Sequence, residues 1–402
     1  MDRFFQTLLD ALAVGSLYAL IALGYTMVYG ILKFINFAHS DIFVLGAWVS
    51  FSAAACVGFV DVDTSVAGVQ MAGVAPWVRW LLWVVAAATV LMALYERVVR
   101  PKLVAGGLGG RWAGLPATDV SRTLAIVTAW GSVSLLLIFV ARALVGAEAG
   151  GAMPKGGVGR VLAGGVILLA AMATCGLVGF CLERLAYKPL RKAPRLNVLI
   201  TAIGVSLLLQ NLGQANWMFG TRPEGMPKLL PNSDPLFSIG NVKVWPVDVM
   251  AGLTAIALMV GLDVLVFKTK LGRAMRAVSF SERNAALMGI PVDKVISFTF
   301  VLGASLAAAA GFLYSQKYAG LNQTGASGWV LLGLKAFVAA VVGGIGNIRG
   351  AMLGGLLIAG LEFFGAQYIS TELRDVYVFA ALIVVLLFRP SGILGKSVVE
   401  KV

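Results

Sequence analysis

Residues 268–294 read KTKLGRAMRAVSFSERNAALMGIPVDK and lie between two long apolar segments of the chain. Basic residues outnumber acidic residues in this loop by six to two. Loops of membrane proteins that are rich in Lys and Arg stay on the cytoplasmic side. We therefore expect this loop to be cytoplasmic, and the apolar segments on either side of it to cross a membrane.

The middle of this loop predicts a short helix over 280–289. Ser279-x-x-Glu282 is a capping box, in which each side chain satisfies a free backbone N–H at the start of the helix. Gly289 is a suitable C-terminal cap, and Pro291 prevents the helix from continuing. Between these signals lie Asn284, Ala285, Ala286, Leu287 and Met288. A short helix with a face of small side chains, lying at a membrane surface, is suited to enter a cleft of another protein.

The composition of the whole chain is that of a membrane protein. Of its 402 residues, 59% are hydrophobic and 13% are charged, with a mean hydropathy of +0.90, whereas soluble proteins carry about 25% charged residues. The fold class is therefore an all-α polytopic membrane protein. The net charge of +13 does not indicate nucleic-acid binding, because the basic residues cluster in loops between the apolar segments.

Eleven apolar segments approach the length of about 20 residues that a membrane span needs. They are 6–29, 41–59, 77–95, 123–145, 160–182, 196–218, 247–267, 295–315, 329–345, 350–370 and 376–388. The ninth and the eleventh are short, so we expect about 10–11 transmembrane helices, some of them short or broken. Two spans separate each of the basic loops 96–122, 183–195 and 268–294 from the next, which places all three loops and the C-terminus on the cytoplasmic side.

Three stretches contain candidates for a transport pathway. Asn36 and His39 interrupt two apolar runs, and polar groups at membrane depth are costly unless they face protein or a watery path; a tight turn at the headgroups is the alternative, and it is favoured for His39. Gln210 and Asn211 either line the outer half of the path or, as the favoured interpretation, bind neighbouring helices. The glycine-dense stretch that joins two short helices, a feature that often marks the substrate path of transporters, contains Gly343, Gly344 and Gly346.

No residue pattern predicts catalysis or a resident metal. The three cysteines are dispersed and His39 is the only histidine, so a His/Cys metal site is not expected. Gly395-Lys396-Ser397 imitates the end of a phosphate-binding loop, but Pro390 stands where the first glycine belongs. The chain is therefore not expected to hydrolyse ATP by itself.

The segment 61–160 is predicted to be a two-span insertion. The sequence Ala-Trp-Gly-Ser-Val-Ser-Leu-Leu-Leu at 129–137 echoes Ala-Ile-Gly-Val-Ser-Leu-Leu-Leu at 202–209. A partial duplication would explain the echo, and so would coincidence in a chain rich in Leu, Ala and Gly. An even number of inserted spans leaves the orientation of the later segments unchanged.

Several separated motifs resemble the branched-chain amino acid ABC transporter permease family, and specifically the first of its two paired permease subunits. The motifs are Asn36-Phe-Ala-His39, Glu183-Arg184 with Lys188-Pro189-Leu190, Glu282-Arg283-Asn284-Ala285-Ala286-x-x-Gly289-Ile290, Val341–Gly355 and Arg389–Gly395. They cover roughly 6–60 and 165–402. Ser40 stands where the family usually has Gly, so the local turn is expected to differ.

The resemblance implies a single permease domain over 1–402 in the bacterial inner membrane. It makes 268–294 a coupling loop that docks into a separate ATPase subunit through Glu282, Arg283, Asn284, Ala285, Ala286 and Gly289. It further implies no cofactor in this chain, with ATP and Mg held by the partner ATPase. The other partners implied are a homologous second permease subunit, a periplasmic substrate-binding protein and membrane lipid, with no nucleic acid.

Two alternative functions remain open at this point. Within the family, the substrate could be urea, a short amide or another amino acid. In a different class, the chain could be a secondary transporter coupled to protons or sodium, because such carriers usually place acidic residues within spans. The acidic candidates are Asp10, Asp263 and Glu362, of which Glu362 lies deepest and is read as a packing or pathway residue.

Overall fold

The structure is a computed structural model that describes most of the chain. The described residues are 2–57, 117–145, 157–191, 193–215, 218–221, 224–227, 229, 235–240, 242–318, 320–321 and 326–395. The predicted span 77–95, the loop 60–76 and most of the loop 96–122 lie outside them. So does much of the predicted insertion 61–160, which stays a prediction.

Helices dominate the described residues. They are α1 (Asp2–Leu32), α2 (His39–Val57), α3 (Ala117–Val145), α4 (Gly157–Leu182), α5 (Arg195–Gln214), α6 (Pro246–Lys268), α7 (Lys270–Phe280), α8 (Glu282–Leu287), α9 (Val292–Lys317), α10 (Ala326–Gly343), α11 (Ile348–Tyr368) and α12 (Arg374–Phe388). A π-helical turn, Glu183–Tyr187, and a 3-10 turn, Lys188–Leu190, extend α4. Two small antiparallel pairs join β1 (Glu224–Gly225) to β4 (Gly320–Leu321) and β2 (Phe237–Ile239) to β3 (Val242–Val244).

The all-α polytopic fold class is confirmed. Each predicted apolar segment that falls on described residues coincides with a helix. Within the described residues, six helical stretches are long and apolar enough to cross a membrane: Asp2–Leu32, Val161–Leu190, Leu196–Gln214, Pro246–Lys268, Val292–Lys317 and Ile348–Tyr368. The two segments predicted to be short, 329–345 and 376–388, correspond to α10 and α12, which end at Gly343 and Phe388.

Helix α1 is the centre of the molecule. In its most apolar stretch 94% of the residues are buried, against 22% for α5 and 28% for α6. It packs against α11, α9, α10, α6 and α2, and α9 in turn packs against α4 and α2. The outward faces of α5 and α6 carry exposed aliphatic side chains, including Leu207 and Leu253, as expected of helices that meet lipid or another membrane subunit.

Small residues allow α2 and α9 to approach at backbone distance. A Cβ atom on Gly311 would lie 2.2 Å from the carbonyl oxygen of Phe43, and one on Gly46 would lie 2.4 Å from the Cα of Ala308. Ala and Gly at membrane-helix contacts permit this kind of packing. The position of α2 against the core therefore depends on the absence of a side chain at these two positions.

Contacts between the helix ends place the N-terminus and the 268–294 loop at opposite ends of the bundle. Lys317 bonds to Asp10 at 3.1 Å and to Asp248 at 2.7 Å. At the other end of α1, the Ser279 hydroxyl donates to the Gly30 carbonyl at 2.6 Å. This geometry does not say which end faces the cytoplasm, so the assignment of the loop to the cytoplasm stays a prediction.

Candidate functional site

Helix α7 is an amphipathic helix that the sequence reasoning did not identify. The Thr269 side chain caps its start by accepting a hydrogen bond from the backbone N–H of Gly272 at 3.1 Å. Gly272, Met275 and Val278 recur every three residues and are buried. The basic residues of the helix lie on the opposite, exposed face. Helix α7 therefore lies across the end of the bundle, with its apolar side inward.

Helix α8 begins two residues later than the predicted capping box requires. Ser281, and not Ser279, is the cap, because its hydroxyl accepts from the backbone N–H of Asn284 at 3.3 Å. Ser279 belongs to α7 and uses its hydroxyl on α1 instead. The predicted end is confirmed: Gly289 has φ +78°, and the next N–H, that of Ile290, donates to the carbonyl of Ala285 at 3.0 Å.

The exposed surface of α8 differs from the predicted face of small residues. Ala285 is buried, with 4% of its surface exposed, whereas Phe280, Leu287 and Met288 expose 91%, 79% and 83%. Glu282, Arg283, Asn284, Ala286 and Gly289 are also exposed. Single exposed apolar residues are ordinary, but three large ones flank this six-residue helix. We call Phe280, Leu287 and Met288 the apolar tip.

Ion pairs tie the segment after α8 to the end of α4. Asp293, in the first turn of α9, bonds to Lys188 at 3.0 Å and to Arg191 at 2.7 Å. Arg191 also pairs with Glu183, a fully buried carboxylate that accepts a hydrogen bond from the Ser297 hydroxyl at 2.5 Å. Sequence reasoning quoted Glu183 only as part of a motif. The signal in the sequence that could have identified Glu183 is its position as an acidic residue at the end of an apolar run.

Asn36, His39 and Asp41, in the polar stretch that leads from α1 into α2, are buried. Asn36 accepts a hydrogen bond from the Tyr187 hydroxyl at 2.6 Å. The His39 ring lies against Tyr25, with 4.7 Å between ring centroids, and fills the space beside Gly24, where a Cβ would come within 2.2 Å of His39 Nε2. His39 is thus buried between helices, with 2% of its surface exposed, so the favoured interpretation of a tight turn that meets the headgroups is wrong for this side chain.

Gln210 and Asn211 point in different directions. The Gln210 amide donates to the carboxylate of Asp41 at 2.9 Å, and the Ser206 hydroxyl donates to the same carboxylate. Asn211 is exposed and bonds only along its own helix, to the carbonyl of Leu207 at 2.7 Å. The structure therefore joins Gln210 to the start of α2, as the favoured hydrogen-bonding interpretation expects, and separates Asn211 from it.

The three glycine candidates form the tight turn between α10 and α11. Gly344 and Gly346 have φ of +112° and +91°, a region that side chains rarely adopt. The carbonyl of Gly343 accepts from the backbone N–H of Leu394 at 3.1 Å. A Cβ on Gly344 would lie 2.5 Å from the backbone nitrogen of Gly395. The turn thus packs against the C-terminal segment of the described chain.

A cluster of four charges, of which Lys335 and Glu362 are buried, lies between α10, α11 and α12. Glu362 is fully buried and accepts hydrogen bonds from Tyr18 at 2.8 Å and from Lys335 at 2.9 Å, and it forms an ion pair with Arg374 at 2.5 Å. Lys335 also pairs with Asp375 at 2.5 Å. Two positive and two negative side chains therefore balance, as buried charges require. Among the described residues, no group of His, Cys, Asp and Glu has the arrangement of a metal site.

Comparison with known proteins identifies the family. The model of the family described as branched-chain amino acid transport system / permease component matches residues 7–109 and 119–386. The chain belongs to this family. No solved structure matches it.

The permease is also similar to curated proteins over its whole length. It is 33% identical to the high-affinity branched-chain amino acid transport system permease protein LivH of Salmonella typhimurium, over 99% of this chain and 98% of that protein. It is 32% identical to BraD of Pseudomonas aeruginosa, over 100% of this chain and 98% of that protein. Identity to LivH of Escherichia coli K12 is also 32%.

The family match extends over most of the middle segment. It includes 61–109 and 119–160, where the quoted motifs gave no resemblance. The permease is a multi-pass membrane protein and the membrane subunit of a transporter. Whether 61–160 is an insertion stays a prediction, because the superposition of 77–145 on 160–218 that would test it needs residues outside the described ones.

Proposed function

We propose that this permease is the transmembrane subunit of a binding-protein-dependent ABC importer for branched-chain amino acids in the bacterial inner membrane. The family and the full-length similarity to LivH and BraD support the substrate class. The observation that carries the mechanism is α8, a short capped helix with an exposed apolar tip at one end of the bundle. Helix α8 docks into a separate ATPase subunit, which holds the ATP and Mg.

Three attachments carry the motion of α8 into the spans. Ser279 links α7 to the end of α1, the central helix. Asp293 links the start of α9 to Lys188 and Arg191 beyond α4. Ala285 packs inward against the bundle. An ATPase that displaces α8 would therefore also move α1, α4 and α9. Alternating access requires that the spans move in this way.

The other proposed partners contact the outer end and the side of the bundle. A periplasmic binding protein docks at the outer loop, and a homologous second permease subunit lies beside this one in the membrane. The weakly buried α5 offers an unused apolar face for that subunit. Asn36, His39 and Gln210 pack against or hydrogen-bond to the helices around the α1–α2 turn, which supports a role in holding these helices together. Gly343, Gly344 and Gly346 provide the turn that packs against the C-terminal segment.

Ion pairing disfavours a gradient-driven carrier. Each acidic candidate for a proton or sodium site already has a cationic partner: Glu362 has Lys335, Asp10 has Lys317 and Asp263 has Arg349. Each of these carboxylates is therefore one member of a structural ion pair and is not left free for a coupling ion. The family match favours an ATP-driven importer for the same chain.

Uptake by reconstituted vesicles tests this function. The permease would be assembled with its partner permease, ATPase and binding protein, and uptake of labelled leucine measured with internal ATP. We expect uptake that requires ATP and the binding protein, survives a proton and sodium ionophore, and is not reduced by excess urea or acetamide. Uptake that collapses with the ionophore but continues without ATP would establish the carrier instead.

A further inference from the structure

A groove of about 910 Å³ runs between α3 and α9 and is unused by the proposed transport cycle. Its walls are mostly apolar, with Ile126, Trp130 and Val133 on α3 facing Phe298 and Val301 on α9. The end of the groove near α8 is polar instead. The groove therefore has charged residues at one end and apolar walls along the rest of its length.

The length of the groove corresponds to one leaflet of a bilayer. From Thr123 to Val133, α3 rises about 15 Å, at about 1.5 Å per residue. A rise of about 14 Å separates Val292 from Val301 on α9. The hydrocarbon core of a bilayer is about 30 Å thick, so one leaflet is about 15 Å. An acyl chain lying along these walls would span its leaflet.

The charges at the polar end favour an anion. Lys294 and Arg184 line this end, and Arg184 donates to the Thr123 hydroxyl at 3.2 Å. Asp293 also lines it, but its carboxylate is bonded to Lys188 and Arg191. Lys294 is exposed, and its ammonium makes no hydrogen bond or ion pair that involves another described residue. Basic side chains next to the cytoplasmic leaflet attract anionic lipid.

We propose that this groove binds one anionic phospholipid of the cytoplasmic leaflet. Its phosphate lies at Lys294 and Arg184, and its acyl chains lie along α3 and α9. Ala286 and Ile290 line the same groove, so the bound lipid also contacts α8 and the residue after its cap. That last consequence, a lipid that braces the coupling helix, rests on the proposed function, whereas the binding itself does not.

Fluorescence quenching tests the binding directly. The Trp130 ring lies in the groove, and its indole N–H is held by the Ala173 carbonyl at 2.8 Å. The purified permease would be placed in phosphatidylcholine bilayers containing increasing fractions of brominated phosphatidylglycerol. The difference in quenching between the unaltered chain and Trp130→Phe isolates this tryptophan from the other eight of the nine. We expect half-maximal quenching at a low fraction of the brominated anionic lipid.

Charge variants show whether the headgroup is recognised. One basic residue near the surface contributes about 1 kcal/mol to anionic-lipid attraction, so Lys294→Gln should raise the lipid fraction for half-quenching about fivefold. Lys294→Arg should leave it unchanged. Lys270→Gln removes the same charge from an exposed site of the same loop outside the groove, and should have a smaller effect.

A groove-filling variant tests the apolar part. Ala129 lines the groove and is exposed, so Ala129→Phe should reduce Trp130 quenching by displacing the acyl chain. Ala257→Phe makes the same change on the exposed side of α6 and should not.

Two results would overturn the proposal. Equal quenching by brominated phosphatidylcholine, together with equal effects of Lys294→Gln and Lys270→Gln, would show ordinary bilayer contact. Absence of quenching by either lipid would show that protein closes the groove. Because neither measurement needs ATPase, substrate or uptake, failure here is distinct from failure of the transport function.

Discussion

Truncation of Leu287 at the apolar tip should weaken binding of the ATPase subunit by a calculable amount. Leu287 exposes 79% of its surface in the isolated permease. Leu287→Ala removes three carbons, each of which contributes about 0.8 kcal/mol when buried. If docking buries the surface that is now exposed, the variant loses about 2 kcal/mol of binding free energy. That loss corresponds to about 25-fold weaker association.

The assay is binding of the purified ATPase subunit to the permease in nanodiscs, read by interferometry at several ATPase concentrations. Leu253→Ala is the matched control, because Leu253 exposes 62% of its surface on α6, away from α8. The control should bind as the unaltered chain does. Thermal unfolding of both variants should match the unaltered chain, since neither side chain belongs to the buried core.

An unchanged dissociation constant for Leu287→Ala would refute the reasoning, because a docked apolar tip must lose affinity when its surface is removed. Equal weakening by Leu253→Ala would also refute it, by showing that the assay reports general damage. Ala286→Glu is a poorer test of ATPase docking than Leu287→Ala, although Ala286 belongs to the predicted face of small residues. Ala286 faces the groove beside α3, so a new charge there would also disturb lipid or helix packing.

Three further predictions concern the links between the loop and the core. Asp293→Asn should leave ATPase binding intact but lower substrate-stimulated ATP hydrolysis, because the bonds to Lys188 and Arg191 carry the motion. Glu362→Gln should reduce the yield of folded protein, since breaking a buried ion pair costs about 3–5 kcal/mol, while any remaining uptake stays ATP-dependent. Gly311→Ala should lower the unfolding temperature through overpacking of about 1–3 kcal/mol, whereas Gly252→Ala, with open space around it, should not.

The sequence predicted the spans well because each one is a local property of about 20 consecutive residues. It predicted the end of α8 for a similar reason, because the turn there needs a residue with positive φ and Gly289 is that residue. The start of α8 was ambiguous, because Ser279 and Ser281 both offer capping hydroxyls. Only the tertiary contact of Ser279 with Gly30 on α1 decides between them. No local pattern contains that contact.

The ion-paired charges of α10, α11 and α12 show more clearly that a local sequence pattern does not predict a tertiary contact. Lys335 and Glu362 are 27 positions apart, and Arg374 lies a further 12 positions along the chain. In the sequence, Glu362 alone stands out as an acidic residue deep in an apolar segment. The meaning of these charges depends on α10, α11 and α12 meeting at one point. Glu362 considered alone suggests a proton- or sodium-coupled carrier, because it is an acidic residue within a span. The packing of the helices pairs Glu362 with cationic side chains and so removes the main support for that hypothesis.

Helix α8 is too short to transmit force through its own stability. Isolated helices shorter than about 12 residues are marginal in water, and α8 has six residues. What makes it rigid is its surroundings: the Ser281 cap, the Ala285 contact and the Gly289 turn fix its ends. Force applied to the apolar tip must then leave through α7 and through Asp293 on α9. If α8 couples to an ATPase as proposed, the ion pairs at Asp293 matter to coupling as much as the tip itself, and Asp293→Asn should separate binding from transport.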